Sequence, residues 1–316
     1  MDAPKHRNIF NIFVVIAAYR DRDCINTIDD LFRKARRPDR VTAGVCWQYL
    51  SPEDDAVDPL GRWRDRCRLV SFPAAETEGV CWARSRAHAL WDGEEAVLQI
   101  DSHMRFVDGW DEALLAMLAD CPSERPILSN YPAAFAPPDR IESHVVSVIR
   151  ATGFDQDGLL KQESVGYAPD RMGGKPRPSA FVAGGFLFGD SRWIAEVPYD
   201  PFLYFQGEES TLAARLFTHG WDVFTPNDVL AYHDYGQRPD RPRHWNDRPD
   251  WPQLNRRSVR RVRHLLGIEE SSDPEVLRDI GRYGLGSRRS LAEYQAFAGV
   301  DFRRQVIGRD SSLRSE

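Results

Sequence analysis

The amino-acid sequence predicts an α/β fold organised around a parallel sheet. Between residues 9 and 118, short apolar runs with strand character alternate with segments whose apolar residues recur at helical spacing. The run at 9–18 is apolar on both faces, as expected of a central strand. Another run, at 96–100, stops abruptly at the triplet Asp101-Ser102-His103. Strands and helices in this order form right-handed crossover units, so we predict parallel neighbouring strands.

The first half of the chain contains most of the predicted sheet. Apolar, β-favouring runs predict strands at 9–18, 41–47, 67–72, 96–101 and 127–129. Apolar residues three and four positions apart predict helices at 22–36, 82–91 and 110–118. Proline, glycine and charged residues dominate 51–66 and 131–178, which we predict to be loops, with one helix at 141–151.

The second half predicts three more strands and then a helical end. The strands are expected at 180–189, interrupted by a glycine pair, at 222–225 and at 230–233. Helical spacing predicts helices at 207–219, 253–266, 273–282 and 288–298. We therefore expect an α/β domain over 1–235, a candidate lid loop over 236–252 and a helical C-terminal extension over 253–316.

The composition is that of an ordinary globular protein, with 42% hydrophobic and 28% charged residues. No run of 18 apolar residues is present, which predicts no membrane span, and residues 1–8 lack the features of a signal peptide. The five cysteines are scattered and include no C-x-x-C pair. Scattered thiols of this kind favour reduced cysteines and a cytoplasmic location.

The charge is unevenly distributed along the chain. Residues 236–316 contain 17 arginines and 12 acids, so their net charge is +5, and the whole-chain charge of −6 leaves −11 for the first 235 residues. Nucleic-acid-binding proteins concentrate basic residues in one patch, so this distribution predicts no nucleic-acid partner. An acidic fold with a few cations near an anionic ligand fits it, and so does a solvated helical tail.

The triplet that follows the run at 96–100 is a candidate metal site. Ligands of open α/β sheets bind at the C-terminal edge of the strands. Asp101 and His103 are two positions apart, so on an extended strand both side chains face the same way. A carboxylate oxygen and an imidazole nitrogen suit a divalent ion such as manganese. The alternative is a chance triplet whose aspartate caps the next helix.

Further stretches occur with this triplet in a set order. They are IAAYRD, GVCWQ, CWARSRAHALWDGEEAVLQIDSHMRFVDGWD, AGGFLFGDSRW, VPYDPFLYFQGEESTLAARLFTHGWD and AYHDY. In this combination the chain resembles GT-A glycosyltransferases, specifically the polypeptide α-GlcNAc-transferase family with its Skp1-type hydroxyproline GlcNAc-transferases, and more distantly the polypeptide GalNAc-transferases. The resemblance covers about residues 9–266. It implies a Rossmann-like GT-A sheet and a retaining transfer of a sugar, GlcNAc from UDP-GlcNAc first of all, to a hydroxyl of a protein or peptide.

The same resemblance implies a metal and a set of donor contacts. Asp101, His103 and His233 are expected to hold Mn²⁺ or Mg²⁺, although His233 has the alternative of stacking on a neighbouring tyrosine. The turn after the first strand is expected to bind the nucleotide, with Tyr19 stacking on uracil and Asp21 bonding to ribose or base. Capping of the helix at 22–36 is the equal alternative for Asp21. The remaining implied contacts in this half of the chain come from Arg20, Arg84 and Ser102.

Later residues complete the implied site. Gly184 and Gly185 match a glycine pair lining the donor sugar pocket, where a side chain would collide with the hexose. Glu208 and Glu209 are the candidate catalytic acids, which would hold sugar hydroxyls or position the acceptor, or else compensate a helix N-terminus. Within the candidate lid, the residues expected to reach the diphosphate on closure are Arg238, Arg243, His244 and Trp245. A solvated linker is the alternative for that loop.

Other functions stay open at this point. The donor is open to another UDP-hexose, the acceptor to a glycan or small molecule, and a catalytically silent nucleotide-sugar-binding protein would keep the same fold. A metallohydrolase is disfavoured, because no dedicated base accompanies the metal ligands. Residues 131–178 and the tail beyond about 267 match nothing in the family pattern. That tail is a candidate acceptor groove or homodimer contact.

Overall fold

The computed structural model describes residues 11–51, 58–236 and 241–308. The strands in these ranges are β1 (Ile12–Tyr19), β2 (Val41–Tyr49), β3 (Cys67–Pro73), β4 (Ala96–Asp101), β5 (Met104–Phe106), β6 (Pro126–Ser129), β7 (Ala133–Ala136), β8 (Arg140–Ile141), β9 (Val146–Phe154), β10 (Leu160–Tyr167), β11 (Arg177–Ser179), β12 (Phe186–Asp190), β13 (Asp222–Thr225), β14 (Ala231–His233), β15 (Val300–Asp301) and β16 (Val306–Ile307). The α-helices are α1 (Cys24–Lys34), α2 (Val80–His88), α3 (Trp110–Asp120), α4 (Arg192–Glu196), α5 (Glu208–Thr218), α6 (His244–Asp247), α7 (Trp251–Leu265), α8 (Ile280–Tyr283) and α9 (Leu291–Ala298).

A large sheet of eight strands forms the centre of the fold, in the order β11-β13-β6-β12-β4-β1-β2-β3. The strands of residues 9–118 are parallel, as predicted: β1 pairs parallel with both β2 and β4, and β2 with β3. The pair β13 and β6 is also parallel. Beyond residues 9–118 the sheet is mixed, because β12 runs antiparallel to β4 and β6, and β11 antiparallel to β13. Parallel neighbours need a crossover, usually helical. No α-helix lies between β6 and β12 in this described stretch, so the chain returns in the opposite direction.

Helices cover both faces of this sheet, which gives three layers. On one face α1 and α3 bury Ile28, Leu31 and Leu114 against β1, β2 and β4. On the other face α2 and α5 pack Cys81 and Leu212 against residues of the same strands. A sheet buried on both sides explains why residues 12–18 are apolar throughout. The α/β class expected from the sequence is therefore confirmed.

A second sheet, of order β5-β14-β7-β8, corrects the predicted position of residues 230–233. That strand was expected to end the main sheet. It instead pairs antiparallel with β5, the short strand directly after the metal-candidate triplet, and His233 lies opposite Met104. The pairing places the end of β14 beside the end of β4, although more than a hundred residues separate them.

The region 131–178 is not mainly loop, and the predicted helix at 141–151 is wrong. Residues 146–167 form an antiparallel hairpin, β9–β10. The run VSVIRATGF is rich in β-branched residues and alternates buried and exposed positions over 149–152, which favours a strand. At the turn, Gly158 has φ +75° and Asp155 Oδ1 accepts hydrogen bonds from the backbone of residues 157 and 159. This Asp-Gly turn fixes the hairpin.

The C-terminal part packs against the body through α7 and α9, which both contact α5. Arg261, 1% exposed, donates to Asp200 Oδ2 at 2.7 Å and to the carbonyls of Val276 and Arg278. The helix predicted at 273–282 is shorter than expected and is limited to Ile280–Tyr283.

All five cysteines are unpaired. Among the described helices, none has the length and apolar character needed to cross a bilayer.

Candidate active site

Three of the predicted residues converge at the edge of the sheet. Asp101 ends β4, His103 follows two residues later, and His233 ends β14. One potential ligand atom from each of them lies within 4.8 Å of the other two. Asp101 Oδ2 and His233 Nε2 are 3.2 Å apart, and the ring centroids of the two histidines are 4.6 Å apart. One carboxylate oxygen and two imidazoles form a donor set suited to Mn²⁺ and related divalent ions.

Helix α1 and the turn before it fix the loop that carries His103 through hydrogen bonds. Thr27 Oγ1 donates to the carbonyl of Ser102, at 2.8 Å, and accepts from the amide of Met104. Asp21 Oδ2 lies 2.6 Å from His103 Nδ1 and accepts a hydrogen bond from Ser102 Oγ. A carboxylate on one ring nitrogen fixes the tautomer that leaves the other nitrogen available to a metal. We therefore interpret Asp21 and Ser102 as residues that position His103.

Asp21 also takes part in the turn before α1, although the N-cap residue of that helix is Asp23. Its Oδ1 accepts from the amide of Asp23, at 3.0 Å. Burial raises the pKa of the Asp21 carboxyl, but hydrogen bonds from His103 and Ser102 outweigh that effect and hold the pKa below its usual value. The carboxylate form is thus stabilised by the residues it orients.

Arg84 connects the metal candidates to the acids at the start of α5. Its guanidinium is 4% exposed and donates to Asp101 Oδ1 at 2.6 Å. The same guanidinium contacts Glu208 Oε1, which also accepts from the hydroxyl of Tyr199. A planar guanidinium can hold two carboxylates at once, whereas an ammonium is a single point charge. Arg84 thereby fixes the relative positions of Asp101 and Glu208.

The surrounding charges keep Asp101 ionised. Burial by itself raises the pKa of the Asp101 carboxyl. Arg84 and the hydrogen bond from His233 outweigh burial and hold that pKa well below its usual range. The pKa of His233 is lowered mainly by burial. An ionised carboxylate beside a neutral imidazole is the protonation state that metal binding requires.

A cavity of about 310 Å³ opens beside these residues. Its wall includes Asp101, His233, Arg84, Glu208 and both glycines of the 184–185 pair. At both glycines, side chains of the site lie directly against the backbone. A Cβ on Gly184 would lie 2.6 Å from Arg84, and one on Gly185 would lie 2.4 Å from Asp101 Oδ2.

We expect Gly185→Ala to weaken binding of Mn²⁺ at least tenfold, because the added methyl displaces the Asp101 carboxylate. Isothermal titration with MnCl₂ measures the effect. Gly174→Ala is the matched control, since its Cβ meets nothing within 4 Å. Equal Mn²⁺ affinity in both variants would show that Asp101 does not bind the ion from this position.

Glu209 occupies a different environment from Glu208. Its Oε2 accepts from the Tyr131 hydroxyl at 2.5 Å and from Gln162 Nε2 at 3.0 Å, and its Oε1 accepts from the amide of Gly184 at 2.8 Å. Burial raises the pKa of Glu209 to about 7, against the opposing effect of the hydrogen bonds from Tyr131 and Gly184. One acid of the pair is thus tied to the arginine, and the other to the backbone that shapes the cavity.

This raised pKa makes stability depend on pH. Because the folded-state pKa lies above the ordinary 4.5, Glu209 contributes most below pH 4.5, and its contribution is lost as pH rises to about 7. We expect the stability of Glu209→Gln relative to the parent chain to rise by about 3 kcal/mol between pH 4.5 and 8. Urea unfolding at several pH values measures it, with the exposed Glu163→Gln as control. Parallel pH profiles for parent and Glu209→Gln would contradict the assignment.

The nucleotide-turn candidates contact the described part of the candidate lid. Asp247 Oδ2 accepts from the Tyr19 hydroxyl at 2.8 Å and from Arg20 Nη1 at 2.9 Å. Arg20 has φ +51°, a strained backbone conformation for a residue with a side chain, and such strain clusters at functional sites. The C-terminal end of β1 and helix α6 are thus joined by two direct hydrogen bonds.

The remaining lid candidates have different positions. His244 is buried, with Nδ1 at 2.9 Å from the Tyr204 hydroxyl and Nε2 at 3.0 Å from Thr77 Oγ1, so both ring nitrogens have protein partners. This arrangement favours a structural role over the predicted diphosphate contact. Trp245 packs against Phe205, which lines the cavity. Arg243 stacks over Trp245, and Arg238 lies outside the described residues.

Several residues of the site were not found from the sequence. The cavity is lined by Tyr131, Gln162 and Tyr235, and the hydroxyl of Tyr199 donates a hydrogen bond to Glu208 in its wall. The signal that could have found Gln162 is the strand pattern of the β9–β10 hairpin. The three tyrosines lie in segments without a periodic pattern, and only the folded chain brings them to the cavity.

Comparison with known proteins agrees with this architecture. The sequence model of the family "Glycosyltransferase (GlcNAc)" matches residues 11–62 and 60–304. A Drosophila melanogaster protein named as polypeptide N-acetylgalactosaminyltransferase 13 is 29% identical over 184 residues, which cover 53% of this chain and 31% of the relative. The chain therefore spans about a third of that relative's length.

A solved structure shows the same fold. A crystal structure of GalNAc-T7 with UDP, GalNAc and Mn²⁺ superposes with a TM-score of 0.65 at 15% identity, over 92% of this chain and 57% of that one. Staphylococcus aureus TarS 1–349 in complex with UDP-GlcNAc gives a TM-score of 0.49 at 11% identity, over 84% and 68% of the two chains. The family match extends over nearly all of the described residues, and the chain belongs to the GlcNAc glycosyltransferase family.

Proposed function

We propose that this chain is a metal-dependent, retaining glycosyltransferase that transfers GlcNAc from UDP-GlcNAc to a hydroxyl of a protein or peptide. The observation that carries the proposal is the convergence of Asp101, His103 and His233 beside a cavity walled by a glycine pair. Family membership and the donor set both support it. Within the family we place the chain with the polypeptide α-GlcNAc-transferases, and we propose that it acts in the cytoplasm.

The residues present fit a bound divalent cation. Asp101, His103 and His233 would hold Mn²⁺ or Mg²⁺, and Asp21 would keep His103 in the correct tautomer. When bound, the cation supplies positive charge that stabilises the diphosphate leaving group. Arg84 holds Asp101 ionised and fixed, so the site does not reorganise when the donor arrives.

The cavity next to this triad would take the donor sugar. Gly184 and Gly185 form part of its wall, and the absence of a Cβ at both lets Arg84 and Asp101 lie against their backbone. Gln162 Oε1 is buried without a hydrogen-bond partner among the described residues, and it lines the same cavity. An N–H or hydroxyl of the sugar would satisfy this atom, which makes Gln162 a candidate for donor discrimination.

We propose front-face displacement for the chemical step. Both acids of the cavity are engaged, Glu208 by Arg84 and Tyr199, and Glu209 by its three donors, which suits positioning better than nucleophilic attack. In this scheme the bond from the anomeric carbon to the diphosphate breaks, and the acceptor oxygen bonds to that carbon from the same side. The acceptor proton moves to the departing phosphate oxygen.

We also propose that residues 236–252 cover the bound donor. Asp247 already connects this segment to Tyr19 and Arg20, at the turn expected to bind the nucleotide. Closure over the site would exclude water from the reacting sugar. The proposed domain limits follow from this division: the GT-A catalytic domain over 1–235, the lid, and the extension over 253–316.

A panel of donors tests the proposal. We expect UDP release from UDP-GlcNAc with Mn²⁺ present, its loss on addition of EDTA, and slower release from UDP-GalNAc, UDP-Glc and UDP-Gal. Fastest release from one of the other sugars would show that the GlcNAc assignment is wrong. Absence of metal-dependent release from every donor would instead indicate a silent nucleotide-sugar-binding protein.

A further inference from the structure

A second cavity, of about 460 Å³, lies beside α2, the helix that also carries Arg84. The helix contributes Trp82, Arg86 and His88 to its wall. The segment that follows α7 contributes Arg278, Arg282 and Tyr283. The cavity is therefore built between the α/β body and the C-terminal extension, and nothing in the first site uses its arginines.

The wall combines aromatic rings with cations. Arg86 stacks over Trp82 with its guanidinium carbon 4.9 Å from the ring centroid, and Arg282 stacks over Tyr283 at 5.4 Å. Arg278 stacks over Phe202 at 4.9 Å. Stacking holds each guanidinium plane in place while its N–H groups remain available for an anion.

These three arginines lack acidic partners. Within the part of the chain that the structure describes, none of them forms an ion pair. Glu78 is the single acid among the described residues that line the cavity, so the wall carries an excess of positive charge. A surplus of cations in a concave site attracts anions.

The segment that carries two of these arginines is firmly anchored. Arg261 is buried, pairs with Asp200 and donates to the carbonyls of Val276 and Arg278. Arg215 donates to the carbonyls of Pro198 and Gly284 from the other side. The backbone on both sides of Arg282 is thus fixed before any ligand arrives, which reduces the entropic cost of binding.

A series of hydrogen bonds joins one wall of this cavity to the first site. His88 is 9% exposed, and its Nε2 lies 2.7 Å from Gln99 Oε1. Gln99 Nε2 donates to the carbonyl of Gly184 and to the Tyr199 hydroxyl, so Nε2 of His88 is the protonated nitrogen. His88 Nδ1 is consequently a buried acceptor that has no donor among the described residues.

We propose that this second cavity binds a small anion carried on a ring, a phosphorylated or carboxylated ring compound. The rings of the wall contact the ligand's flat body, and the unpaired guanidiniums of Arg278 and Arg282 bind its anionic group. A ligand hydroxyl would supply the donor that His88 Nδ1 lacks. The proposal does not depend on the transferase activity inferred above.

Isothermal titration with phenyl phosphate and with benzoate, in EDTA, tests the proposal. Inorganic phosphate and phenol are the half-ligand controls, and both are expected to bind at least tenfold more weakly than the best ring-bearing anion. The double variant Arg278→Glu/Arg282→Glu is expected to lose at least tenfold in affinity for that probe. Arg303→Glu, an exposed charge reversal away from the cavity, is expected to leave the affinity unchanged.

Two results would overturn the proposal. One is absence of binding of both ring probes to the parent chain, and the other is an affinity for inorganic phosphate equal to that for the ring probes. Binding that Asp101→Asn abolishes and the arginine double variant does not would assign the probe to the first site. Thermal melting of the double variant, expected within a few degrees of the parent, shows that a loss of affinity does not come from unfolding.

Discussion

Asp101→Asn is expected to abolish metal-dependent turnover of UDP-GlcNAc, with a loss of at least about 1,000-fold. Changes to residues that only orient a metal ligand already cost about 10–100-fold, and this change removes a ligand. The substitution also removes the charge that Arg84 and His233 stabilise at 2.6 and 3.2 Å. UDP release at saturating donor and Mn²⁺ measures turnover, and titration with MnCl₂ measures the ion directly.

The control for this prediction is Asp108→Asn, an exposed aspartate between β5 and α3. It removes the same charge from the same region without touching the three ligands. His233→Ala is expected to reproduce the loss, because it removes another member of the triad. Activity of Asp101→Asn equal to that of Asp108→Asn would overturn the ligand assignment and the proposed function with it.

Arg84→Met is expected to reduce the free energy of unfolding by about 3–5 kcal/mol and to abolish turnover. Arg84 is buried between Asp101 and Glu208, so its removal leaves two carboxylates without their shared cation. Methionine preserves much of the side-chain volume, so the loss reports on charge rather than on a cavity. Urea unfolding monitored by circular dichroism measures the free energy.

Arg86→Met, two residues further along α2, is the matched control for stability. Arg86 is exposed and stacks on Trp82, so its replacement is expected to change the free energy of unfolding by less than about 0.5 kcal/mol. A similarly small effect of Arg84→Met would mean that Asp101 and Glu208 do not depend on their shared arginine.

Local pattern predicted much of the fold. The central strands and the helices at 24–34, 110–120 and 208–218 lie within a few residues of the expected positions. They were predictable because each buries an apolar face whose spacing is visible in the sequence. The hairpin over 146–167 was missed because its exposed face is charged and because its glycines, with prolines on either side of it, resemble those of a loop. The antiparallel β12 was missed because strand direction depends on the path of the chain and not on its own residues.

The candidate site divides in the same way. The sequence by itself indicated the triplet at the end of β4 as a candidate metal site. The family resemblance added the glycine pair, the two acids at the start of α5 and His233. Only the tertiary structure decided that Arg84 bridges Asp101 and Glu208, that Asp21 orients His103, and that a hairpin supplies Gln162. The physical reason is that the spacing of residues along a strand or helix determines which face each side chain occupies. Which residues meet across the site depends instead on how strands that are distant in sequence pair.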